Sequence, residues 1–362
     1  MGTGFSLSAR LRRSAAAAGV GLALVGAGLG LAGQAQAAPA AGKTKPAQLT
    51  GVSCVRPTWC LAVGTAFGAK GASQDLAELW NGTSWRLVAS PPGAGLASVA
   101  CSATWYCLTL GVQVSGPNTP AFRWNGRKWL KIAEPRGAAS VPSCASRTMC
   151  IVGNGYAQSV LSWNGKNWTD TQLCGASASA RCLTSTSCAS TSLCMAVGSV
   201  KNEIYNVNAS AALWDGEHWS VIYPPDVDDE GAESSMQLVS CAGHICLALG
   251  STDYVWDLTT KTWQDVTPTN GVSAGGRAVS CGSSTDCMVI TSGAPNPWWH
   301  DGTWTDTQFA PAGPRAQFAA VSCKGDSCVA VGDHMGSGRP RPAAESWNGT
   351  AWKVITPKSP AS

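Results

Sequence analysis

The stretch from Val52 to Pro91, VSCVRPTWCLAVGTAFGAKGASQDLAELWNGTSWRLVASP, decides the fold. It opens on a short apolar run ending in Ser53-Cys54, places a second cysteine at Cys60, and continues through Leu61-Ala62-Val63 to Gly64. A variable polar insert follows, then an apolar lead into Trp80-Asn81-Gly82-Thr83-Ser84-Trp85. The unit occurs seven times, with first cysteines at Cys54, Cys101, Cys144, Cys188, Cys241, Cys281 and Cys323, spaced by 47, 43, 44, 53, 40 and 42 residues. Its tryptophan pairs are Trp80/Trp85, Trp124/Trp129, Trp163/Trp168, Trp214/Trp219, Trp256/Trp263, Trp299/Trp304 and Trp347/Trp352. A period of roughly 40 to 50 residues marks a propeller or a solenoid.

Each unit holds four short β-type segments, in the first Leu49–Cys54, Cys60–Gly64, Leu76–Trp80 and Trp85–Ala89. Runs this short, rich in Val, Leu and Trp and bounded by Gly, Asn and Pro, are strands rather than helices. The expectation is an all-β, seven-bladed β-propeller with four antiparallel strands per blade, neighbouring blades burying one another's faces. The W-[N/D]-G-x-x-W segment turns the third strand into the fourth, with Asn-Gly read as the source of positive φ. Its paired indoles, each burying roughly 150–250 Å², pack between blades.

Composition bounds the rest. Charged residues are 13% of the chain, and Gly (41) and Trp (17) are high, as in a rigid, turn-rich β protein. Arg10, Arg12 and Arg13, the apolar run from Ser14 to Gly33 and Ala35-Gln36-Ala37 read as a cleaved secretory signal over residues 1–37. Residues 38–48 are expected to be a linker, 49–357 the propeller and 358–362 a tail. The Ala/Gly/Leu-rich leader points to a high-GC, actinobacterial source. Without its three leader arginines the chain has 22 basic and 21 acidic residues, and a near-neutral chain argues against nucleic acid as partner.

There are sixteen cysteines. Five units hold C-x5-C (Cys54/Cys60, Cys101/Cys107, Cys144/Cys150, Cys188/Cys194, Cys281/Cys287) and two hold C-x4-C (Cys241/Cys246, Cys323/Cys328). Cys174/Cys182 is an eighth pair, in the insert between the third and fourth units. An even count with local repeated spacing in an exported chain reads as disulfides; zinc-type C-x2-C spacing with partnering His is missing. Each bridge closes a small loop, for roughly 2 to 3 kcal/mol in the chain-entropy account.

These blades resemble bacterial secreted propellers of the BNR/Asp-box and kelch kind, especially photosystem-assembly-factor-like propellers. The resemblance runs from about residue 48 to 357 and rests on Ala62-Val63-Gly64, Ala196-Val197-Gly198 and Ala330-Val331-Gly332, and on the kelch-like run from Val255 to Trp263. A true Asp-box, S-x-D-x-G-x-x-W, differs: here Asn81 or Asp215 directly precedes its Gly and a Trp stands in front. The resemblance implies a fold, and a fold hosts many functions.

Candidate sites follow from loop geometry. The Cys turns and W-N-G turns are short and stereotyped, whereas second-to-third and blade-to-blade connections vary and gather on the other rim, where binding residues concentrate. Two inserts there supply Lys201 and Tyr205, and His334, Arg339 and Arg341, which suit a glycan or a partner's carboxylates. Trp105 and Trp298 lack counterparts in the other units and are candidate stacking platforms, Trp105 on the stereotyped rim. Asp226-Val227-Asp228-Asp229-Glu230-Gly231 resembles the start of a calcium loop, but position twelve is Gln237 where a bidentate Glu belongs, and a solvated acidic linker is the stronger reading. Gly271-Val272-Ser273-Ala274-Gly275 fits G-x-S-x-G without the helix a nucleophile elbow needs. The histidines His218, His244, His300 and His334 fall in different units, away from any metal-ligand spacing.

The expectation is a secreted, extracellular, monomeric and non-catalytic binding module for a glycan, cell-wall component or protein, acting through the variable rim without a cofactor or metal. The alternatives are a polysaccharide hydrolase or lyase of sialidase or glycosidase type, whose carboxylate geometry sequence does not supply, and an extracellular assembly factor.

Overall fold

The computed structural model describes residues 44–361, except 69–71, 92, 114–115, 139–140, 155–158, 174–182, 202–206, 226–233, 269–275, 294, 311–315 and 337–338. The leader expected at 1–37, most of the linker and the Cys174/Cys182 pair lie outside the described residues. In blade one, β1 (Ala47–Arg56), β2 (Trp59–Phe67), β3 (Ser73–Trp80) and β4 (Trp85–Val88) form an antiparallel sheet in chain order. Six further four-stranded sheets repeat this order: β5–β8 within 96–131, β9–β12 within 143–172, β13–β16 within 185–222, β17–β20 within 236–265, β21–β24 within 276–307 and β25–β28 within 316–354. The protein is a seven-bladed propeller.

The first strands line the axis: β1, β5 (Leu96–Ala103), β9 (Ser143–Ser146), β13 (Ser185–Ser190), β17 (Met236–Ala242), β21 (Gly276–Cys281) and β25 (Ala316–Lys324). Each touches the next, and β25 returns to β1. The apolar core is divided among the junctions, with one buried cluster for each neighbouring pair of blades. Strand alternation explains this division. Leu61 and Val63 of β2 face blade two, while Ala62 and Ala66 face blade seven. A middle strand is therefore covered on both faces and reads as a continuous apolar run.

Seven disulfides are described, Cys54–Cys60, Cys101–Cys107, Cys144–Cys150, Cys188–Cys194, Cys241–Cys246, Cys281–Cys287 and Cys323–Cys328. Each joins directly opposed residues of a blade's first and second strands, so the bridges staple hairpins and not neighbouring blades.

What joins neighbours is a serine. The innermost strand is a sheet edge, and its outward N–H groups need a partner. The first cysteine's N–H finds the hydroxyl of the residue preceding the first cysteine one blade earlier. Cys101 donates to Ser53 Oγ (2.9 Å), Cys188 to Ser143 (2.9 Å), Cys241 to Ser187 (2.8 Å), Cys281 to Ser240 (2.8 Å), Cys323 to Ser280 (2.9 Å) and Cys54 to Ser322 (2.9 Å). The remaining junction has Ala100 where the others have serine. Ring closure thus has the same hydrogen bond as five of the six interior junctions, besides packing of Val329 and Val331 on blade one. The chain ends add to it. Lys45 N–H donates to the Pro360 carbonyl (2.9 Å), Thr44 bridges Ala361, and Lys358 N–H donates to Glu78 Oε2 (2.8 Å).

Two local readings are refined by the structure. The Asn of W-N-G was expected to share the positive φ; instead it keeps ordinary φ, and Gly82 alone turns left-handed in that loop (φ 94°). Asn81 Oδ1 accepts the N–H groups of Thr83 (3.0 Å) and Ser84 (2.8 Å), and Asn125, Asn164, Asp215 and Asn348 repeat the wrap. Blade six, with Asp301-Gly302 (φ 45° and 79°), has two consecutive left-handed residues. The glycine of Ala-Val-Gly is explained by crowding: a Cβ on Gly64 would lie 2.0 Å from the Gln48 carbonyl oxygen, where β1 bulges between Leu49 and Gly51.

Candidate functional site

The Cys turn and the W-N-G turn of a blade meet on one rim, as Thr58 against Gly82 shows. The opposite rim carries the variable connections. There the hairpins β14 (Leu193–Lys201)/β15 (Val207–Trp214) and β26 (Ser327–Gly336)/β27 (Arg339–Asn348) extend the sheets of blades four and seven.

The candidate residues split accordingly. His334 pairs with Arg341 and Gly336 with Arg339 across the β26–β27 ladder, which sets the blade-seven trio on one hairpin; both arginines are exposed. Lys201 ends β14 in blade four, and Tyr205 is outside the described residues, as is the Asp226–Gly231 segment. Blades four and seven are not neighbours in the ring. Trp298, in β23 (Asn296–His300), is half-buried and packs against the blade-seven core. His300 stacks on its ring (centroids 4.5 Å apart, 26°) and Trp347 meets it edge-on at 5.3 Å. Its stacking face is therefore taken. Trp105 is the opposite case, 53% exposed on the tight-turn rim.

Beside the blade-seven trio, at the variable-rim end of the junction between blades six and seven, a pocket of about 240 Å³ opens. Its polar lining comes from four separate stretches: Arg277 on β21, Thr291 and Asn296 around the second-to-third turn of blade six, Gln308 after β24 (Thr303–Thr307), and Gln317 on β25. Phe309 and Phe318, with centroids 4.0 Å apart, supply its apolar wall. Across the ladder, Ala316 and Gln317 oppose His334 and Asp333, which places the blade-seven candidates next to this pocket. Asn296 is 1% exposed; its Oδ1 accepts Thr291 N–H at 3.1 Å, while its Nδ2 has no partner among the described residues. A buried amide donor left unpaired costs about 1–3 kcal/mol, which a ligand oxygen recovers. Sequence reading missed these lining residues, because each is an ordinary polar residue beside a strand end and only the blade junction brings them together.

Three carboxylates near this rim hold the chain, whereas Asp333 Oδ2, beside the pocket, is buried without a hydrogen-bond partner among the described residues. Asp75 accepts the N–H groups of Ala94 (2.7 Å) and Leu96 (2.9 Å), which fixes the crossing from blade one to blade two. Glu78 and Glu345 are fully buried and receive the chain leaving the preceding blade, from Lys358 and Ala310 N–H, each at 2.8 Å. Burial pushes both carboxyls up to about 7. On the tight-turn rim, His300 Nδ1 meets Asp286 Oδ1 at 2.6 Å and its Nε2 faces Asp301 Oδ2 at 3.4 Å, so both ring nitrogens address carboxylates and neither activates a hydroxyl. Burial opposes ionisation of Asp286, but hydrogen bonds from Ser283, His300 and Thr285 outweigh it and hold the carboxyl below its usual range.

No protein-family model and no curated protein sequence matches the chain. Solved structures do. The β-propeller domain of the Trilobed protease from Pyrococcus furiosus superposes with TM-score 0.59 at 10% identity, covering 86% of this chain and 98% of that one. YCF48 bound to D1 peptide gives 0.51 at 12% identity, over 80% and 92%. YCF48 from Cyanidioschyzon merolae gives 0.52 at 13% identity, over 84% and 96%. At such identities the likeness establishes the propeller fold.

Proposed function

We propose that this chain is an extracellular, non-catalytic binding module that takes the polar end of a glycan in the pocket between blades six and seven. The observation that carries the reading is the unpartnered, buried Nδ2 of Asn296 inside that pocket. Around it, Arg277, Gln308 and Gln317 are further donors and the paired phenylalanines offer an apolar wall. Multiple fixed donors beside an aromatic surface suit a sugar, whose hydroxyl oxygens accept while its C–H face packs. His334, Arg339 and Arg341 on the adjoining hairpin extend the contact to a longer ligand. Seven local disulfides are compatible with an oxidising, extracellular setting. Among the described residues no helix is long and apolar enough to cross a membrane.

A peptide is the second reading, favoured by a fold neighbour solved with one, YCF48 bound to D1 peptide; a peptide carbonyl satisfies Asn296 as well as a hydroxyl does. The test is a binding screen of the mature protein against neutral oligosaccharides, cell-wall fragments and peptides. Asn296→Asp keeps the acceptor for Thr291 and removes the donor; Arg339→Ala/Arg341→Ala trims the rim. Saccharide binding weakened by Asn296→Asp supports the glycan reading, peptide binding so weakened supports the second, and binding indifferent to Asn296→Asp refutes the pocket.

A further inference from the structure

A second cavity, of about 400 Å³, lies on the tight-turn rim between blades two and three, lined by Trp105, Tyr106, Arg123, Arg147, Thr148 and the Asn164-Gly165-Lys166 turn. Three features set it apart from the matching place at other junctions.

Trp105 carries more side chain than its structural task needs. At this position of the Cys turn other blades have Thr58, Thr148 or Ser192, each resting its Cβ against the glycine of the same blade's W-N-G turn. Trp105 does the same, its Cβ 3.3 Å from where a Cβ would stand on Gly126. A threonine would fill that role, yet the indole continues past it and is 53% exposed. An exposed indole with one edge-on neighbour, Tyr106 at 6.4 Å, is an open stacking face.

Arg123, Arg147 and Lys166 converge on the same cavity, and none of the three forms an ion pair with a described carboxylate. The local chain cannot neutralise them either. Residues 96–172, which span blades two and three, contain seven Lys/Arg and two carboxylates, Asp170 and Glu134, the latter engaged by Lys131 at 2.9 Å. Residues 173–310 reverse this, with fourteen Asp/Glu against four Lys/Arg. The modest net charge of +4 conceals a basic sector over blades two and three, and such a field draws polyanions to the cleft.

We propose that this cleft binds an acidic polysaccharide, one sugar ring lying on Trp105 while its carboxylate or phosphate group is held by Arg147, Lys166 and Arg123. A single indole serves one ring and three clustered cations serve one or two acid groups, which matches a charged sugar unit better than the evenly spaced phosphates of a nucleic acid. This site is independent of the pocket between blades six and seven.

The test is titration of the full chain with polygalacturonate (carboxylate), phosphomannan (phosphate), neutral dextran and poly-dT over a range of salt concentrations. One of the acidic polysaccharides binds, dextran does not, and affinity falls as salt rises. Trp105→Thr, which keeps the contact with Gly126 and is checked by its unfolding midpoint, weakens binding about three- to ten-fold. Arg147→Gln and Lys166→Gln, on exposed turns, each weaken binding and flatten its salt dependence. The proposal is overturned by failure of both acidic polysaccharides to bind, by equal binding of dextran, by tighter binding of poly-dT, or by wild-type affinity in Trp105→Thr and Lys166→Gln alike.

Discussion

Replacing Ala100 by serine should complete the one inter-blade joint that lacks its hydroxyl. At the other six junctions a serine Oγ accepts the N–H of the next blade's first cysteine at 2.8 to 2.9 Å. Ala100 occupies the matching place, opposite Leu108 as Ser53 is opposite Leu61, and Cys144 follows one blade later. Ala100 is 7% exposed, so a hydroxyl there is taken from water and the sign of the outcome is informative. If it meets Cys144 N–H, the net gain is about 0.5–1.5 kcal/mol; a hydroxyl that finds no partner costs about 1–3 kcal/mol. The converse change, Ser187→Ala, strips the partner from the N–H of Cys241, itself 7% exposed, and should cost about 1–2 kcal/mol. For a single unit of this size each kcal/mol moves the midpoint by about 2 °C. The assay is urea unfolding followed by tryptophan fluorescence, with calorimetry as a second probe. An Ala100→Ser variant less stable than wild type, or a Ser187→Ala variant equal to it, refutes the view that serine hydroxyls join the blades.

Three further outcomes follow from the same structure. Glu78 and Glu345, with folded pKa values of about 7 against 4.5 unfolded, hold protons that the unfolded chain releases, so their contribution is most favourable below pH 4.5 and is lost as pH rises to about 7. The double change Glu78→Gln/Glu345→Gln should flatten that fall between pH 4.5 and 7.5, by a few kcal/mol in denaturant titrations, and an unchanged pH profile counts against buried carboxyls at these positions. Gly64→Ala puts a Cβ 2.0 Å from the Gln48 carbonyl oxygen, and should cost several kcal/mol or abolish soluble expression; a wild-type melting curve would remove the crowding account of Ala-Val-Gly. Non-reduced peptide mapping should return pairs within single blades, such as Cys241–Cys246, together with the expected Cys174–Cys182, and any pair linking two blades contradicts the stapled-hairpin arrangement.

The serine joints were visible in the sequence as Ser-Cys in six of seven units, but their meaning was not, because a dipeptide does not say which strand lies at the axis. Asn81 shows a limit of a different kind. Asn-Gly is compatible with a left-handed pair, yet here the side chain wraps the turn and only the glycine goes left-handed, because Asn81, whose N–H donates to the Ser84 carbonyl, precedes the two central residues of the turn. Trp105 and Trp298 were equally odd by position. The structure separates them: one indole stands in solvent and the other lies under His300 and against Trp347.

Blade count, strand order within a blade and local cysteine pairing were legible from the chain alone, because each depends on spacings short enough to repeat within one unit. The pockets were not. Asn296, Gln308 and Gln317 line one cavity only where blade six meets blade seven, and Trp105, Arg147 and Lys166 another only where blade two meets blade three. Contacts across a junction are set by the packing of two sheets, and no period within a single sheet carries that information.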